Sequence, residues 1–98
     1  MQVKERYKEK ILSAITKILP DCKIYLFGSR ASKGKISFSS DIDVSIDNNK
    51  PLNIKTICKL EDAIDDLDIP LDIDLVDFRN VSSEFKKEII NTGIEWKS

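Results

Sequence analysis

The 98-residue chain contains no histidine. That absence removes Ser-His-Asp hydrolysis, His-paired thiolate chemistry, His-ligated zinc and His-ligated haem together. Any catalysis falls to carboxylates, hydroxyls, Lys, Arg or metals. Cysteine is scarce. Cys22 and Cys58 stand far apart, form no C-x-x-C pair, and read as small apolar residues in a reducing compartment. Long apolar runs are missing too. No stretch approaches the roughly 18 residues of a membrane span, and the charged opening Met-Gln-Val-Lys-Glu-Arg is no secretory signal. The expectation is a cytoplasmic protein with no membrane contact.

What is present points to an ordered domain. The chain is 41% hydrophobic and 34% charged, a balance richer in apolar residues than disordered chains carry. Its length suits one domain, spanning 1–98. No repeat, low-complexity tract or linker interrupts it. Sixteen bases against seventeen acids give a net charge of −1. The distribution is less even: residues 1–40 hold nine Lys/Arg and three Asp/Glu (+6), and residues 41–98 hold seven and fourteen (−7).

Hydrophobic periodicity organises the chain. Val3, Tyr7, Ile11, Ala14 and Ile18 recur at helical spacing and predict an amphipathic helix over roughly 2–19, closed by Pro20. Lys4, Arg6, Lys8 and Lys10 lie mostly off that stripe, as a solvated face or as a surface for an acidic partner. Residues 23–27 are β-prone and stop at Gly28. A polar stretch over 28–40 follows. Residues 41–46 then alternate, with Asp41, Asp43 and Ser45 on one face and Ile42, Val44 and Ile46 on the other. A turn occupies 47–51. Ile54, Ile57, Leu60, Ile64 and Leu67 predict a second helix. After Pro70, Leu71, Ile73 and Leu75 oppose Asp72, Asp74 and Val76. Ser82 or Ser83 caps a last helix with Phe85, Ile89 and Ile90 inward, Gly93 suits its C′ position, and residues 94–96 add a short strand. This order predicts an α+β, two-layer architecture: a small mixed β-sheet with helices packed on one face.

Two separate strands therefore aim acids away from the core: Asp41 and Asp43 from one, Asp74 from the other. Residues i and i+2 of a strand lie roughly 6.6–6.8 Å apart, so such carboxylates can bracket a divalent ion in the all-oxygen setting that Mg²⁺ prefers. Alternating acids are equally ordinary on a solvated sheet face, and spacing alone leaves both readings open. Gly28-Ser29, at a strand end, is either a simple turn or a place where backbone N–H groups and a hydroxyl hold phosphate oxygens. Competing motifs fail on spacing. Five residues, not four, separate Gly28 from Gly34-Lys35, and Ile36 stands where a P-loop needs Ser or Thr. An EF-hand from Asp41 meets Ile46 and Leu52 where it needs Gly and Glu. No strongly basic groove-reading element speaks for nucleic acid.

Taken together, Leu26-Phe27-Gly28-Ser29-Arg30-Ala31, Ser40-Asp41-Ile42-Asp43-Val44 and Asp74-Leu75-Val76-Asp77 resemble the signature of the minimal nucleotidyltransferases in the DNA polymerase β-like superfamily. The likeness runs from the first helix to the last. It implies a nucleotidyltransferase-type fold and transfer of a nucleoside monophosphate, AMP from ATP, to a hydroxyl acceptor. It implies that Asp41, Asp43 and Asp74 bind two Mg²⁺ ions, that Asp74 helps take the acceptor proton, and that Gly28, Ser29 and Arg30 hold the triphosphate. Eleven residues separate Ser29 from Asp41, where the family pattern usually has ten. Small members of this family resemble catalytic halves encoded beside a helical HEPN-type protein, as the antitoxin of a toxin–antitoxin pair. The implied state is a hetero-oligomer. The alternative is a catalytically weak subunit that neutralises its helical partner by binding.

Overall fold

A computed structural model describes residues 3–28 and 41–98. The elements run α1 (Glu5–Ile18), β1 (Lys23–Phe27), β2 (Ile42–Asp47), α2 (Ile54–Asp65), β3 (Ile73–Asp77), a 3-10 turn (Phe78–Asn80), α3 (Ser83–Thr92) and β4 (Ile94–Lys97). The α+β order expected from periodicity is the order observed.

The strands form one mixed sheet in the order β3-β2-β1-β4. β1 runs antiparallel to β2 and to β4. β2 and β3 are parallel, because α2 crosses over between them and returns the chain in the same direction. Local chemistry sets the helix starts. The Asn53 side chain accepts the Thr56 N–H at 2.8 Å at the head of α2, and Ser82 Oγ accepts the Phe85 N–H at 3.2 Å at the head of α3.

One face of the sheet carries the main core. Ile24 and Leu26 of β1 and Ile42, Val44 and Ile46 of β2 are sealed beneath α1 and α2. Tyr7, Ile11 and Ile15 come down from α1, and Leu60 and Ile64 from α2. Cys22 joins this core, whereas Cys58 is exposed on α2, and both thiols are free.

The layering departs from expectation in one respect. α3 does not join α1 and α2 but packs on the opposite face, where Phe85 and Ile89 meet Phe27, Phe78, Tyr25 and Val76. Phe27 and Phe85 meet edge to face, with centroids 5.6 Å apart. The even-numbered apolar positions of β1 and β2 hide this, because they account for only one face. The aromatic residues between them needed a cover of their own.

Gly93 does end α3, but with φ −80° it is not left-handed. Its lack of a side chain serves close packing: a Cβ there would collide with the Ile89 carbonyl and come within 3.0 Å of the Leu26 carbonyl.

Candidate functional site

The acid-bearing face lies at the end of the sheet where β1 stops and β2 begins. Asp43 is paired in register with Phe27 on one side and with Asp74 on the other. Neighbouring strands lie about 4.8 Å apart, so Asp43 and Asp74 are direct cross-strand neighbours on one face. Asp41 stands just before β2 and is exposed, as is Asp74, while Asp43 is half-buried. The structure thus sets Asp43 and Asp74 side by side, with Asp41 two residues before Asp43 at the same end of the sheet. Asp72 is exposed just before β3, and its carbonyl accepts the Ile42 N–H at 2.9 Å, extending the β2–β3 ladder.

Electrostatics register the crowding. The Asp43 carboxyl is pushed above its usual range, first by burial and then by the charges of Asp74 and Asp41. Gly28 closes this corner. It adopts φ +73°, a conformation favouring glycine, and a Cβ there would collide with the Asp43 carboxylate. The backbone at the strand end therefore comes as close to this acid as a backbone can. Ser29 and Arg30 lie outside the described residues.

These features bear on a cation. The donors are oxygen only and alike in charge, the set a hard divalent ion takes, and the crowding that raises Asp43 is what such an ion relieves. Among the described residues no three acids converge closely enough to form a ready-made metal shell.

Sequence reading missed a second group of acids at the far end of the same strands. Asp47 is 5% exposed and receives two hydrogen bonds from Arg79, Nε to Oδ1 at 2.7 Å and Nη2 to Oδ2 at 3.1 Å. Asp77, the last residue of the Asp74-Leu-Val-Asp run, belongs to this group: its carboxylate accepts the Leu52 N–H at 2.8 Å and the Arg79 N–H at 3.2 Å. One signal was available. Period-two alternation carries the face of Asp43 through Ser45 to Asp47, but the Asp-Asn-Asn-Lys-Pro composition read as a turn. Ser45, between the two acids, is fully buried, and its hydroxyl has no partner among the described residues.

Similarity to known proteins runs over most of the chain. MntA of Haemophilus influenzae, described as a probable protein adenylyltransferase, is 29% identical over 89 residues, covering 91% of this chain and 77% of that protein. Among solved structures, the MNT antitoxin in complex with a tri-AMPylated HEPN toxin of Shewanella oneidensis matches with a TM-score of 0.71. That match has 26% identity and covers 98% of this chain and 71% of that one. A toxin–antitoxin complex with AMP-PNP matches with a TM-score of 0.68 and 29% identity, over 91% of this chain and 71% of that one. The family model for polymerase beta nucleotidyltransferases matches residues 9–97. With the fold, the acid-bearing strands and this match in agreement, the chain belongs to the polymerase beta nucleotidyltransferase family.

Proposed function

We propose that this nucleotidyltransferase is a protein adenylyltransferase: it moves AMP from ATP to a hydroxyl of a helical HEPN-type partner, acting as the antitoxin of the pair in the cytoplasm. Residues 1–98 serve as one minimal nucleotidyltransferase domain. The cross-strand pair Asp43–Asp74, with the Gly28 backbone against it, is the observation that carries the reading. The character of the relatives, an adenylyltransferase and an antitoxin bound to an AMPylated toxin, supports the choice of AMP and of partner.

In this reading Asp41, Asp43 and Asp74 hold divalent metal, as Mg²⁺ and as two ions. When bound, the metal supplies charge neutralisation and Lewis acidity at the phosphates. Gly28, with Ser29 and Arg30, holds the triphosphate, and the missing side chain of the glycine leaves room for the Asp43 carboxylate beside that loop. The acceptor hydroxyl oxygen forms a bond to the α-phosphorus. The bond from that phosphorus to the bridging oxygen breaks, and pyrophosphate leaves. Asp74, exposed at the mouth of the pair, receives the hydroxyl proton. Asp43, half-buried and deepest of the three, orients the others.

The open arrangement of the three acids favours one rival: a binding subunit that silences its partner by complex formation alone. The test is transfer of label from α-³²P-ATP to the HEPN-type partner in Mg²⁺, comparing the chain with its Asp41→Asn/Asp43→Asn variant. The expected result is loss of transfer by about a hundredfold or more with the complex intact, the scale of losing a metal's transition-state stabilisation. Full neutralisation of the partner in cells by the double variant would establish the binding reading instead.

A further inference from the structure

The group around Arg79 lies roughly four residues, about 13 Å, along β2 from Asp43. It touches no part of the candidate site, yet it bears on the site's geometry. β3 is an edge strand, held by a single parallel neighbour. Its side chains set which face is inner, since Ile73 and Leu75, with Leu71 before the strand, pack on the main core. That burial bars a one-residue slip, which would carry Asp74 to the core face. A two-residue slip keeps each face and would put Asp72 or Val76 beside Asp43 in place of Asp74.

The Arg79 network supplies what the pattern lacks. Asp47 ends β2 on the Asp43 face, and Arg79 grips its carboxylate with two prongs from the turn that follows β3. Asp77 ends β3 on the opposite face, facing Leu52 and the underside of α2, and its carboxylate binds the Arg79 and Leu52 amides. The guanidinium also lies over the Phe78 ring, 5.7 Å from its centroid, which restricts its swing. The Asn49 amide takes the remaining capacity of Asp47 Oδ1 at 2.9 Å. Both faces of the β2–β3 pair are thereby fastened at one end. The β2–β3 ladder runs without a bulge from Ile42↔Ile73 to Ile46↔Asp77, so register fixed at that end carries along it to Asp43 and Asp74.

We propose that Arg79 is a positioning residue for nucleotidyl transfer: its forked ion pair with Asp47, backed by Asp77, holds β3 in the one register that sets Asp74 beside Asp43. This rests on the metal-binding reading of those two acids.

Mn²⁺ alone is a sufficient probe, read by paramagnetic broadening of backbone amides in the full chain. In the unsubstituted chain Mn²⁺ broadens amides near Asp43 and near Asp74 together. In Arg79→Gln the cross-strand backbone NOEs that mark the Asp43–Asp74 contact, recorded without Mn²⁺, are lost, and the apparent dissociation constant for Mn²⁺ rises about tenfold, the scale of losing a residue that orients a metal ligand. Ile15→Val, which loosens the buried core beneath α1, is the control for lowered stability and leaves the Asp43–Asp74 contact and the constant unchanged. Arg79→Lys keeps the charge but not the fork and carries the test if the glutamine variant fails to fold, with a smaller rise. Equal shifts in the Arg79 and Ile15 variants, or an intact Asp43–Asp74 contact at unchanged affinity in Arg79→Gln, would overturn the positioning role. Failure of Mn²⁺ to broaden the Asp43 region in the unsubstituted chain would overturn the metal reading itself.

Discussion

Asp43 and Asp47 are the same residue type on the same face of the same strand, yet their surroundings push them in opposite directions. Burial raises the Asp43 carboxyl, and the charges of Asp74 and Asp41 raise it further. Burial also works to raise Asp47, but the Arg79 hydrogen bonds, the Asn49 amide and nearby positive charge outweigh it and hold the group below its usual range. The consequences for stability have opposite signs. Asp47, depressed in the folded chain, contributes stability that is full above the unfolded value of about 3.9 and is lost as pH falls through the folded value. Asp43, raised on folding, opposes the fold whenever it is ionised. That opposition fades as pH falls through the folded value and is gone below about 3.9. Asp43→Asn is therefore expected to raise the thermal midpoint near pH 7 in a chelating buffer. The gain shrinks on acidification, and Mg²⁺ stabilises only the unsubstituted chain. Calorimetry across pH, with and without Mg²⁺, checks all three; a lower midpoint for the variant in chelator would show that the acids do not repel as described.

Among the elements, α3 is the one whose position most affects the site. It covers the Asp-bearing face through Phe85 and Ile89, and that aromatic layer abuts β1 where Gly28 begins. Only ten residues long, it is too short to be stable by itself, so its cap and its packing matter. Ser82 supplies the cap through its bond to the Phe85 amide. Ser82→Ala is expected to cost about 1 kcal/mol, which for a domain of this size lowers the thermal midpoint by about 4–8 °C. A circular-dichroism melt measures it. Transfer at temperatures well below the midpoint is expected to stay near the unsubstituted rate, because the cap touches neither the acids nor the glycine.

At the scale of the whole molecule, β2 is the axis. It pairs on both sides, is covered by α1 and α2 on one face and by the aromatic layer on the other, and leaves Ser45 and Asp47 buried along with its apolar residues. A strand so enclosed ties the site to the entire core. Ile11, fully buried on α1 and far from the acids in sequence, belongs to that core. Ile11→Ala is expected to cost about 2–5 kcal/mol. The loss is expected to appear as a single cooperative shift: in urea, far-UV ellipticity and Mg²⁺–nucleotide binding should disappear at the same reduced midpoint. Separate midpoints would mean that the site melts independently of the core.

Sequence alone determined the elements and their order, because period-two and period-3.6 burial are written directly in the spacing of Ile, Leu and Val. It also pointed to the chemical type of the candidate site. Without histidine, and with Asp41, Asp43 and Asp74 turned away from the core face, carboxylates stood out, and a glycine at the end of β1 was the sign that a backbone approaches them. Tertiary structure decided the rest. That Asp43 and Asp74 are neighbours depends on the parallel pairing of β2 with β3, a contact between residues thirty-one apart that no local pattern encodes. The placement of α3 on the acid face followed from aromatic residues whose partner was invisible until the sheet was assembled. The Arg79 clamp lay hidden for the same reason: Asp47, Asp77 and Arg79 are unremarkable singly, and their roles exist only where the chain brings the ends of two strands together.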